Sequence, residues 1–187
     1  MMRAGILSAL TLALAACGGQ SDTPTDETQP GDTLPTGKSL VQARMIVDAN
    51  GFSGRDGAPV RFGTAREEVD AKASEIFPDG PIKSEQDECG AGPMEFSKYG
   101  PVDLAFLDGR FAGWFLRPGK DVATSDGIAP GLTTLDALKS ERQVQELDTT
   151  LDGEFQYTTA DYGTITGFAD PDGSISGLSA GITCFFR

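Results

Sequence analysis

Two stretches decide how this chain is read: YGPVDLAFLDGRFAGW, residues 99–114, and YGTITGFADPDGSISGL, residues 162–178. In the first, Val102, Leu104 and Phe106 alternate with Asp103 and Ala105, the period of a half-buried strand. Asp108-Gly109 follows and predicts a hairpin turn of the primed type. Arg110 to Leu116 (RFAGWFL) is the return strand. The second stretch echoes the first. Tyr99-Gly100 matches Tyr162-Gly163, Val102 matches Ile165, and Asp108-Gly109 matches Asp172-Gly173. Phe111, Gly113 and Trp114 match Ile175, Gly177 and Leu178. The offset grows by one residue because the second turn, Asp170-Pro171-Asp172-Gly173, is longer. Phe106 and Phe168 fall out of register, and Gly167 is read as the mark of a bulge.

Each stretch is preceded by a helix signal. In VRFGTAREEVDAKASEIF (60–77), Thr64 with Glu67 forms a capping box, and Val69, Ala73 and Ile76 make one apolar stripe. Pro78 and Gly80 stop it. The later counterpart is Pro130-Gly131-Leu132-Thr133, with Thr133 and Asp136 as the cap and Leu135 and Leu138 as a short apolar face. Leu40 to Asp48 (LVQARMIVD) reads as a first strand, ended by Asn50-Gly51. The fold class expected is α+β: two related halves, each a short helix packed on antiparallel strands (a βαββ-type meander), sharing one core. The halves are 39–122 and 123–187, together about 150 residues, enough for one good core.

The helix start Gly131-Leu132-Thr133 followed by Leu138 resembles that of small bacterial envelope domains. These include the β-lactamase-inhibitor-protein-like superfamily and the related outer-membrane-assembly lipoprotein fold. The resemblance covers about eight residues per copy, and the first copy, Gly63-Thr64, lacks the spacer. It implies a short helix on an antiparallel sheet, often in tandem, and protein binding rather than catalysis. It carries no contact residues over, because the motif is a helix cap.

The N-terminus is read as an address. Met1-Met2-Arg3 is a short positive region, and Ala4 to Leu14 is an apolar run of about eleven residues, the layout of a secretory signal peptide over residues 1–16. A transmembrane helix needs roughly 20 apolar residues. Leu14-Ala15-Ala16-Cys17 resembles a bacterial lipobox. The resemblance implies a diacylglycerol on the Cys17 thiol and cleavage just before it. Two or three acyl chains then anchor the protein to the bilayer, at about 0.8 kcal/mol per buried methylene. With Gly18 next, the family rule implies the outer membrane in a Gram-negative source, or the outer face of the cell membrane in a Gram-positive one. Residues 17–38 combine this anchor with a linker rich in Gly, Pro, Thr, Ser and acids, whose ordering cost nothing offsets. A flexible linker of about 20 residues spans near 25 Å.

With Cys17 acylated, only Cys89 and Cys184 remain, so an oxidising compartment allows one pairing, a Cys89–Cys184 disulfide. It would pin the last strand, with Phe185-Phe186-Arg187 beside it. The chain has 15 Lys and Arg against 28 Asp and Glu, a net charge of −13, and loses only Arg3 on processing. That excludes a basic nucleic-acid footprint and polybasic attachment to anionic lipid. There is no histidine, which removes the commonest general base, the usual zinc ligand and the usual activator of a serine or cysteine nucleophile.

Candidate chemistry is sparse. Asp48-Ala49-Asn50-Gly51 and Asp170-Pro171-Asp172-Gly173 resemble fragments of calcium loops but lack the full ligand spacing, and read as turns. Carboxylates are numerous, and no pair can be chosen without a cleft. Ser53-Gly54 and Ser176-Gly177 carry no nucleophile-elbow pattern. No catalytic residue, metal site or cofactor is assigned. Phe111, Trp114 and Phe115 form an aromatic cluster, read either as core or as a partner-binding hot spot. The function expected is a membrane-anchored, non-catalytic lipoprotein that binds or scaffolds another envelope protein. The alternatives are a small-ligand or divalent-cation binder and, after it, a carboxylate-dependent hydrolase.

Overall fold

The computed structural model describes residues 42–159 and 163–184. The signal peptide, Cys17, the linker, Leu40-Val41, Tyr162 and Phe185-Phe186-Arg187 lie outside the described residues. The fold is α+β, with two sheets and two helices among the described residues. A small sheet contains β1 (Met45–Asp48), β2 (Gly51–Gly54), β3 (Val60–Arg61) and β8 (Val122–Thr124). Its order is β3-β2-β1-β8, antiparallel except that β8 lies parallel to β1.

The large sheet is built from two four-stranded antiparallel meanders. The first is β4 (Ile82–Gln86), β5 (Met94–Tyr99), β6 (Val102–Leu107) and β7 (Arg110–Leu116). The second is β9 (Val144–Glu146), β10 (Glu154–Thr158), β11 (Thr164–Ala169) and β12 (Ile175–Gly181). They join where β7 pairs antiparallel with β12, giving the order β4-β5-β6-β7-β12-β11-β10-β9. Helix α1 (Arg66–Ile76) precedes the first meander and α2 (Leu135–Glu141) the second. The expected three-stranded βαββ unit is thereby corrected. Each meander has four strands, and the two parts are unequal, because only the first carries the β1–β2–β3 segment.

The Asp108-Gly109 turn forms as expected, with both residues at positive φ (+52° and +70°), the conformation a primed turn requires. The helix caps differ from expectation. The Thr64–Glu67 capping box does not form: α1 starts at Arg66, and its N-cap Ala65 makes no side-chain cap. The first helical N–H, on Arg66, instead donates to Gly109 O in the β6–β7 turn (3.0 Å). The Thr64 carbonyl accepts from Phe111 N (2.9 Å). In α2 the capping side chain is Thr134, one residue beyond the expected Thr133, and its Oγ1 accepts from Ala137 N (3.2 Å). Here too the first N–H, on Leu135, donates to a turn carbonyl, Gly173 O (2.9 Å), while Ile175 N donates to Thr133 O. Gly63 N donates to Phe111 O, and Gly131 N to Ile175 O. Leu132 is the one residue added between these matched contacts.

The core lies between the large sheet and the layer formed by the helices and the small sheet. Val69 and Ala73 of α1 and Leu138 of α2 are buried there with Met45, Val47 and Phe52. Trp114 on β7 spans the layers, its Nε1 donating to Asp48 O on β1 (2.8 Å). Phe52 and Phe62 meet Phe111 edge-on at 5.7 and 5.0 Å.

Candidate functional site

The large sheet has a second face, turned away from the helices. Its character follows from β7. In a regular strand Phe111 and Trp114, three residues apart, would point to opposite faces. The pairing with β6 instead runs Ala105↔Gly113 and then Phe106↔Phe111, leaving Ala112 as an extra residue. This bulge turns both rings inward. Phe111 is 1% exposed and Trp114 0%. Both belong to the core, so neither is open to a partner, which corrects their reading as a hot spot. Of the three candidates, Phe115 alone lies on the outer face and is partly exposed.

Phe115 sits in a group the aromatic cluster did not include. Its ring meets Phe168 of β11 (centroids 6.3 Å apart), and the Arg117 guanidinium lies over it at 4.8 Å. Arg117 also pairs with Asp103 on β6. Phe96 and Lys98 on β5 and Ile82 on β4 complete a shallow groove of about 720 Å³, with Cys184 at its rim. The signal for Phe96 was present in MEFSKY, where Met94, Phe96 and Lys98 share one side by alternation. Its meaning depended on β4 and β5 being strands.

Cys89 and Cys184 form the disulfide, closing a sequence separation of 95 residues with Cα atoms 5.1 Å apart. It covers a small apolar cluster on this outer face, Cys89, Met94 and Ala105, against which Phe96 and Leu107 pack. The chain beyond β12 crosses close to β7, where Ile182 N donates to Ala112 O (2.8 Å). A Cβ at Gly113 would stand 2.3 Å from Ile182 O, so only glycine allows that crossing.

The acidic loops are turns. Asp48 Oδ1 accepts from Asn50 N (2.8 Å), and Asp48 Oδ2 pairs with Arg61 at 2.6 Å. Asp172 Oδ1 accepts from Ser174 N (2.9 Å), and this hydrogen bond holds the exposed Asp172 carboxyl below its usual range. Among the described residues no group of three or more His, Cys, Asp or Glu side chains is placed to hold a metal ion.

Polar groups also gather beneath each helix. Under α1, Tyr99 Oη donates toward Asp70, whose backbone O and Oδ1 lie at 3.1 and 3.2 Å, and Ser74 Oγ is 3.3 Å away. Asp70 pairs with Lys83 at 3.0 Å, and Arg66 pairs with Glu95. Burial pushes the Tyr99 phenol up to about 12, and Asp70 adds to the rise. In the second half, Asp126 pairs with Arg142 at 2.9 Å with its side chain 3% exposed. Beside them lies Tyr157, its phenol also raised by burial, opposed by the Thr124 side chain. The Tyr157 hydroxyl makes no hydrogen bond of good geometry.

With this geometry in hand, comparison of the chain with family models, with curated proteins and with solved structures gives no match. Among the described residues no helix is long and apolar enough to cross a membrane.

Proposed function

We propose that this chain is a lipid-anchored, extracytoplasmic, non-catalytic protein that presents the outer face of its large sheet to another envelope protein. The anchor is Cys17, acylated after cleavage of residues 1–16. Residues 18–38 hold the folded part off the bilayer. The Cys89–Cys184 disulfide supports an oxidising compartment. The observation that carries the docking reading is the groove lined by Phe115 and Phe96, with Phe168 packed against Phe115, left partly open on one sheet face while the other face is covered. Arg117 is paired with Asp103, whereas Lys98 has no ion-pair partner among the described residues. The partner that fits is a protein offering an apolar side chain next to a carboxylate. The matched backbone contacts at the two helix starts, and the extra residue carried by both β7 (Ala112) and β12 (Ser176), support reading the halves as related by duplication.

The test places a photo-crosslinking amino acid at Phe115 in the full-length protein in its own cell envelope. One defined adduct is expected, lost on Lys98→Glu and absent when the probe stands at Arg61, remote from the groove. Equal labelling from both positions would remove the docking reading. Fatty-acid labelling that persists in Cys17→Ser would remove the anchor.

A further inference from the structure

Among the described residues the two sheets have four edges, and three of them are short. β3 has two residues, and β8 and β9 have three each. β4, Ile82–Gln86, has five, and its register against β5 runs unbroken. No proline or bulge interrupts it; of the devices that blunt such edges, whose free N–H and C=O groups invite another strand, it carries only charges, Lys83 and Glu85, which are of opposite sign. Ile82, 71% exposed, is one of two large apolar residues described as exposed, the other being Ile182.

The sequence of this edge, Ile82-Lys83-Ser84-Glu85-Gln86, has opposite charges placed symmetrically about Ser84. A second copy laid antiparallel about Ser84 would set Lys83 of each chain against Glu85 of the other, and Ile82 against Gln86. Opposite charges directly across an antiparallel pair are favourable. Within its own chain Glu85 is badly served. It stands directly across from Glu95, a like charge, and Glu95 is already taken by Arg66. No ion pair among the described residues includes Glu85. Lys83 contacts Asp70 yet keeps its side chain 58% exposed, open to a second carboxylate.

We propose that β4 is a self-association edge: two copies pair antiparallel through Ile82–Gln86 about Ser84, joining their eight-stranded sheets into one. The contact is isologous, as a twofold dimer requires. It sets the two outer grooves side by side, because Ile82, Ser84 and Gln86 line them. It does not depend on what the grooves bind. The net charge of −13 per chain opposes association over long range, so the dimer forms more readily at physiological salt than at low salt.

Sedimentation of the full-length protein in detergent, at physiological salt, should show a monomer–dimer equilibrium below about 1 mM. Lys83→Glu and Glu85→Lys each turn both attractive pairs into repulsive ones and should weaken the dimer by about tenfold. An equimolar mixture of the two should associate, and the double variant K83E/E85K should recover wild-type affinity. Glu85→Lys keeps the Lys83–Asp70 pair and relieves the clash with Glu95, so its loss of dimer is not a folding defect. Ser84→Cys should cross-link to itself on mild oxidation, and Lys83→Cys, which would face Glu85, should not. A monomer at every concentration, a dimer indifferent to either charge reversal, or a Ser84→Cys protein that stays uncross-linked overturns the proposal.

Discussion

In the first meander Ser97 on β5 faces Leu104 on β6; in the second, Phe155 on β10 faces Gly167 on β11. The two pairs sit at matching points, because Leu104 pairs onward with Trp114 and Gly167 with Leu178, the counterpart of Trp114. Small against large has become large against small. On the outer face the aromatic ring also changes strand, without keeping the summed volume: Phe96 faces Ala105 in one meander, and Glu154 faces Phe168 in the other. The backbone scheme meanwhile stays constant. β12 carries an extra residue, Ser176, where β7 carries Ala112, and the shift that places Trp114 inward places Leu178 inward too. A packed core constrains the summed volume at a contact more tightly than the residue at one position.

The sharpest way to break this comparison is to undo one member of the exchange. Phe155→Ser should cost about 3–5 kcal/mol, the range for emptying an aromatic site. Gly167→Leu alone should cost about 1–3 kcal/mol or more by overpacking, since even its Cβ would lie 2.3 Å from the Phe155 ring. The double variant recreates the Ser97–Leu104 pair of the first meander, and its stability in urea should exceed the sum of the singles by at least about 1 kcal/mol. Simple additivity would mean that the two pairs are not equivalent.

The disulfide marks the next difference, since it ties the loop after β4, in the first meander, to the chain end beyond β12. Cys89→Ser with Cys184→Ser should lower unfolding stability by about 2–4 kcal/mol, read as a drop in the urea midpoint. An unchanged midpoint would show that the sheet holds this end unaided.

Two tyrosines give a smaller contrast. Tyr99 stands across from Val102, and Tyr157 across from Ile165, the counterpart of Val102. Tyr99→Phe removes the donor to Asp70 and should cost about 1–2 kcal/mol, whereas Tyr157→Phe removes a hydroxyl without a hydrogen bond of good geometry and should change stability by under about 0.5 kcal/mol. Equal costs would mean that both hydroxyls are satisfied alike.

The last prediction follows from the Tyr99 phenol. Its folded pKa is raised from 10.0 to about 12, so the native state favours the neutral form. The stability linked to it is fully present below pH 10 and declines as pH rises through about 12. Melting temperature should therefore fall less steeply over this interval in Tyr99→Phe than in the wild type. Parallel curves would assign the alkaline loss elsewhere.

Much of the architecture was legible because it is local. The Asp-Gly turn, the return strand and the α1 stripe each depend on residues a few positions apart. The groove was only partly legible. Phe115 stood out, but Phe168 and Phe96 acquire meaning only through pairing with distant strands. The linear echo matches Tyr99 to Tyr162, which lies outside the described residues, whereas the register sets Tyr157 in the equivalent place. The loop joining β10 to β11 displaces the echo, and a linear comparison cannot tell loop length from strand register.

By itself the sequence determined the mixed helix-and-strand class, the alternation of β6, the site of its hairpin and, once Cys17 was set aside, the pairing of the two remaining cysteines. These follow from backbone preference, short-range periodicity and arithmetic. Only the tertiary structure decided that Trp114 faces inward, that a turn carbonyl rather than a capping box receives the first helical N–H of α1, that β7 meets β12, and that β4 stands at a sheet edge among the described residues. Each of these is a contact between residues far apart in the chain, chosen by which backbone groups and volumes can be satisfied together.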